Sequence, residues 1–115
     1  MRLYSKDYLL DGKIIYHQLI KGYRSGIEPI ILAAQVKNNF NTILDMGSGC
    51  GPISLIVAYR NPNSEVIGFE KNEIHHKISV LNNKENNFEN LKFKVHDNCI
   101  FDKNYENYFD LILSN

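Results

Sequence analysis

Asp45, Gly47, Gly49 and Gly51 are spaced two residues apart in the stretch LDMGSGCG, and Pro52 follows at once. Glycines lack a Cβ, so a loop built from them lets the backbone approach a ligand that other residues would hold away. A helix opening at Pro52 would add unpaired N–H groups beside that loop. Glu70 lies 19 residues beyond Gly51. An acid at about that distance, at the end of the next strand, accepts hydrogen bonds from ribose hydroxyls in nucleotide-binding folds. The order is GxGxG and not GxGxxG, so the third glycine of the dinucleotide fingerprint is absent. A dinucleotide-dependent oxidoreductase is therefore disfavoured. Taken alone, the glycine run is equally consistent with a tight turn.

The elements that must carry these residues are legible around them. TILDMG is a short apolar strand leading into the loop. ISLIVAYR after Pro52 is a helix that is apolar on almost every side, stopped by Asn61-Pro62. EVIGFE forms the second strand and ends on Glu70. Asn72 can cap a helix whose Ile74, Ile78 and Leu81 recur at helical spacing. LKFKV is the third strand, with Lys92 and Lys94 opposite Leu91, Phe93 and Val95, as suits a sheet edge. YFDLILSN is the fourth. Strands alternating with helices imply a parallel α/β sheet. Ahead of it, Asp11-Gly12 marks a hairpin turn and Glu28-Pro29 opens a helix expected to run to Asn38-Asn39. With 115 residues and no linker, one domain is expected over 1–115, with residues 1–41 an extension within it.

Composition narrows the classes. Thirteen basic and thirteen acidic residues cancel, so there is no overall basic footprint for nucleic acid. The first 25 residues nevertheless carry a charge of +3, from Arg2, Lys6, Lys13, Lys21 and Arg24 against Asp7 and Asp11. Random scatter and a phosphate-facing patch explain this equally well. No apolar run is long enough for a membrane span and no signal peptide is expected. Cys50 and Cys99 show no metal spacing and read as free thiols of a reducing cytoplasm. His75 and His76 read as surface residues, NNKENN as compositional bias, and Tyr105 and Tyr108 as a shield for the fourth strand.

The Asp two residues before the first glycine resembles motif I of class I S-adenosylmethionine-dependent methyltransferases. QLIKGYRSGIEPIILAA resembles the stretch before motif I in bacterial tRNA-valine adenine-N6 methyltransferases, through Gly22, Tyr23, Arg24, Gly26, Leu32, Ala33 and Ala34, with Glu28 replacing the usual Asp. The resemblance covers about residues 8–115. It implies a Rossmann-like sheet ordered 3-2-1-4 and S-adenosylmethionine as cofactor. The glycine loop would pass under the methionine end, Glu70 would hold the ribose, and Asp97 and Asn98 would lie near the adenine. Tyr23 and Arg24 would stand at the cofactor or substrate mouth.

FDLILSN matches the approach to the family's Asn-Pro-Pro-aromatic motif, with Asn115 as its asparagine. The two prolines and the aromatic have no counterpart in the sequence, so the chain by itself is expected to be inactive. The alternatives are a non-catalytic cofactor-binding module or a protein-interaction module. tRNA is the expected partner, with neither metal nor membrane. Pairing through the strand at 109–113, with a second copy or a complementary fragment, is also expected.

Overall fold

The computed structural model describes residues 3–21, 26, 28–37, 39–97 and 102–115. Strands β1 (Tyr4–Leu9) and β2 (Ile14–Leu19) form an antiparallel hairpin. Helix α1 (Glu28–Ala34) precedes β3 (Thr42–Met46), α2 (Pro52–Arg60), β4 (Glu65–Glu70), α3 (Glu73–Asn86), β5 (Leu91–Val95) and β6 (Leu111–Ser114). The last four strands make a parallel sheet in the order β5-β4-β3-β6, the expected 3-2-1-4.

The two faces of the sheet are covered unequally. Ile43, Val66, Leu91 and Leu113 lie on the first face, which α2 and α3 cover, in one core with Ile14 and Tyr16 of the hairpin and Leu55 and Val57. Helix α2 is buried from Pro52 to Ala58 because the sheet lies on one side of it and the N-terminal elements on the other. On the second face, Leu44, Ile67 and Phe69 are covered by Tyr105 and Phe109. The two tyrosines therefore lie over β4 and β5 and not over the fourth strand: Lys94 bonds the Tyr105 hydroxyl, and the Tyr108 hydroxyl bonds Glu65. Ile112 of β6, on that second face, stays 57% exposed.

Several boundaries differ from the sequence expectations. The hairpin loop has four residues, with Leu10, Asp11 and Gly12 all at positive φ. Helix α1 stops at Ala34, well before Asn38, which itself lies outside the described residues. Beyond Ala34 the chain tightens into two short turns, Gln35 N–H to Leu32 O and Val36 N–H to Ala33 O, which deliver Val36 into the core. The last strand begins at Leu111, because Phe109 packs under Tyr105 and the Asp110 carboxylate accepts from the Asn41 and Thr42 N–H groups.

On α3 only Ile78 of the expected apolar stripe is fully buried, and Ile74 is 59% exposed. The buried face is polar instead. Asn82 Oδ1 accepts from His17 N–H at 2.7 Å, and its Nδ2 donates to the carbonyls of His17 and Cys50. Asn86 does the same for Ile15, with Oδ1 on its N–H and Nδ2 on its carbonyl. Two side chains one helical turn apart thus stand in for a neighbouring strand along the free edge of β2. The NNKENN stretch that looked like compositional bias holds the hairpin to the body of the domain.

Candidate functional site

Parallel strands bring their C-terminal ends to one edge, and the first face of that edge is where α/β folds bind ligands. In register, Asp45 pairs with Gly68 and Leu113. Strand alternation puts Asp45, Glu70 and Asn115 on the same face as these partners. A cavity of about 420 Å³ opens there, within the range of small-molecule sites. Asp45, Gly47, Gly49, Glu70 and Asn115 all line it.

The loop geometry follows from its glycines. Gly47, Gly49 and Gly51 have φ of 70°, 59° and 93°. A Cβ at Gly47 or Gly49 would meet no atom within 4 Å, so their backbone faces open space. Gly51 differs. It lies beneath the loop at the start of α2, where a Cβ would come 2.5 Å from the Phe93 ring. That ring also covers Gly68. Phe93 of β5 therefore supports the loop from below.

Both acids are engaged. Glu70 Oε1 accepts from Gly49 N–H and Oε2 from Asn72 N–H, each at 2.9 Å, so one carboxylate ties the loop to the start of α3. Asp45 is buried and accepts from Ser54 Oγ at 2.6 Å. Burial raises its carboxyl to about 6, and the Ser54 hydroxyl and backbone N–H offset only part of that rise. Ser48 also lines the cavity, and its Oγ is buried without a hydrogen-bond partner among the described residues.

Some expected site residues fall elsewhere. Asp97 follows β5 and is half-buried but is not among the cavity-lining residues. Asn98, Tyr23, Arg24 and Cys99 lie outside the described residues. His75, expected at the surface, is half-buried and lines the cavity, while His76 bonds the Phe93 carbonyl. Tyr16 and Gln18 of β2 and Pro29 of α1 form another wall. Their signal was the alternation of β2, which puts Tyr16 and Gln18 on one face. Which cavity that face would close was not legible locally. Cys50 is a buried free thiol, pushed up by burial. Among the described residues there is no group of side chains that could hold a metal ion, and no helix long and apolar enough to cross a membrane.

A family model described as the methyltransferase small domain matches residues 29–115. The chain belongs to this family. The release factor glutamine methyltransferase of Buchnera aphidicola is 37% identical over 82 residues, covering 71% of this chain and 28% of that protein. The tRNA1(Val) (adenine(37)-N6)-methyltransferase of Pedobacter heparinus is 36% identical over 93 residues, covering 80% of this chain and 39% of that protein. This methyltransferase small domain chain thus spans between about a quarter and two fifths of its curated relatives' length. The crystal structure of P. horikoshii TYW2 in complex with MeSAdo superposes with a TM-score of 0.73 at 24% identity, over 89% of this chain and 39% of that one. The fold is that of class I methyltransferases.

Proposed function

We propose that the chain binds S-adenosylmethionine in the cavity and serves methyl transfer to an exocyclic adenine nitrogen of tRNA. The observation that carries this is the convergence of Asp45, Glu70 and Asn115 on one cavity whose wall includes the Ser48 hydroxyl, unpartnered among the described residues. The donor set fits the cofactor. Each Glu70 oxygen has accepted one hydrogen bond and keeps lone pairs for ribose hydroxyls. Asp45 and the first turn of α2 stand beside the open backbone of Gly47 and Gly49. The Ser48 hydroxyl offers one further donor or acceptor.

The cofactor supplies an electrophilic methyl group on a sulfonium. The protein's task is orientation, because an adenine amine has its lone pair delocalised into the ring and is a poor nucleophile. The Asn115 side-chain carbonyl would accept an amine hydrogen and turn the nitrogen toward the methyl group. The base must leave its stack to reach the cavity. The tRNA substrate rests on the GYRSG-to-LAA resemblance and on the Pedobacter relative. A second substrate, the side-chain amide of a protein glutamine, is favoured by the Buchnera relative. The same orientation serves it, since an amide nitrogen is equally planar and delocalised.

Thermal denaturation tests the cofactor. S-adenosylhomocysteine should raise the melting temperature by mass action, Asp45→Ala and Glu70→Ala should each remove most of the shift, and NAD should do nothing. A shift with NAD alone overturns the assignment. Labelled methyl groups offered to the chain alone should enter neither tRNA nor release factor, because Asn115 supplies one amine acceptor and no stacking ring accompanies it. Label in tRNA would support adenine and an active chain, and label in release factor would support glutamine.

A further inference from the structure

The two faces of the hairpin do different things. On β1 the inward residues are Ser5, Asp7 and Leu9, and Asp7 accepts from Ser5 Oγ and from Gln18 Nε2. The outward residues are Tyr4, Lys6 and Tyr8, all exposed, with the rings at 39% and 58%. They stand at i, i+2 and i+4, so all three project from one face of the strand. Lys6 Nζ lies 6.0 Å from the centre of the Tyr8 ring. Opposite Lys6 in register is His17, whose Nε2 pairs with Glu85 at 2.9 Å; the Lys6 ammonium also acts on that carboxylate through space without pairing with it. Asp7, the other acid of the strand, is turned inward.

Register also locates this stripe relative to the cavity. Lys6↔His17 is flanked by Asp7↔Tyr16 and Ser5↔Gln18. Tyr16 and Gln18 line the cavity. The midpoint of the stripe therefore backs directly onto the cavity wall, one hairpin thickness away.

We propose that Tyr4, Lys6 and Tyr8 form a docking stripe for single-stranded RNA flanking the base that enters the cavity. Exposed aromatic rings accept bases by stacking and a lysine between them neutralises a backbone phosphate, the combination used by single-strand binders. A phosphate held by Lys6 leaves its base beside Tyr8. A duplex keeps its bases stacked on one another and cannot use the rings. The inference rests on the RNA part of the proposed function.

The test is fluorescence anisotropy with a single-stranded RNA of about 12 nucleotides, and a duplex of the same sequence, against the wild-type chain and Tyr8→Ala, Lys6→Gln and the double variant. Tyr4 is left in place because its ring packs edge-on against His17. The single strand should bind better than the duplex, and the double variant should bind it about tenfold more weakly. Lys6→Gln should reduce the salt slope by about one unit. The melting temperature and the shift with S-adenosylhomocysteine should not change, since both residues are exposed. Wild-type binding that the variants retain in full overturns the stripe and leaves the RNA substrate standing, as does a preference for the duplex. No RNA binding by the wild type overturns both, while an intact S-adenosylhomocysteine shift keeps the cofactor assignment.

Discussion

Ser54 Oγ donates to Asp45 Oδ2 at 2.6 Å, so the first turn of α2 and the end of β3 are joined by a buried carboxyl at the cavity wall. Burial outweighs the two donors from Ser54, and the Asp45 carboxyl rises from 3.8 to about 6. A carboxyl raised by folding contributes stability fully present below about pH 4, which is lost as pH rises through about 6. Asp45→Asn should therefore raise the melting temperature at pH 7.5, by at most about 3 kcal/mol of stability, with the gain fading toward pH 4. The same change should weaken S-adenosylmethionine binding and remove its strengthening between about pH 5 and 7, because the cationic cofactor favours ionised Asp45. Melting curves and calorimetric titrations across that range check both; a stability gain independent of pH would contradict the account.

Gly51 and Gly47 share a positive φ but not a neighbourhood. Gly51→Ala combines left-handed strain with a clash against Phe93, and should destabilise by about 3 kcal/mol. Gly47→Ala meets only the strain and should destabilise by about 1 kcal/mol. Adding Phe93→Leu should recover part of the first loss and none of the second. Urea unfolding of the four variants decides this, and equal losses at the two glycines would refute the packing role given to Phe93.

Asn82 is fully buried and makes three hydrogen bonds to main-chain groups of His17 and Cys50. Asn82→Ala would leave those groups unsatisfied and should destabilise by about 2–4 kcal/mol. Asn86→Ala, at a half-buried position, should lose less. Amide exchange at His17 and Ile15 should quicken in the respective variants. Unchanged exchange at His17 in Asn82→Ala would show that another group holds the strand.

Strand β6 pairs with β3 on one side, and no strand lies on its other side among the described residues. Ile112 of this edge strand stays 57% exposed on the second face. We propose that this edge pairs with a further strand, from a second copy or from a complementary fragment. Ile112→Lys should lower self-association with little effect on stability. Sedimentation at rising concentration reads this directly, and identical profiles for the two proteins would exclude the edge as the contact.

The sequence by itself determined the order and kind of the elements from β3 onward. It also determined the glycine loop and the cap at Asn72, whose Oδ1 accepts from Ile74 and His75 N–H groups. These depend on φ preferences, local hydrogen bonds and periodicity, all written within a few neighbouring residues. The grouping of Asp45, Glu70 and Asn115 was foreseeable only because parallel strands in a known order must gather their C-terminal ends.

Tertiary structure alone decided the rest. Asn82 and Asn86 look like surface polar residues until β2, some 65–71 residues earlier, presents its free edge to them. Tyr16 and Gln18 line the cavity because the hairpin, from the far end of the chain, packs on α3 and α2, and His75 lines it because Glu70 ties the start of α3 to the glycine loop. Tyr105 and Tyr108 cover β4 and β5 for a similar reason: residues 105–109 lie over the second face of strands far from them in the chain. Such contacts depend on which surfaces the topology brings together, and no local pattern encodes a partner so distant in the chain.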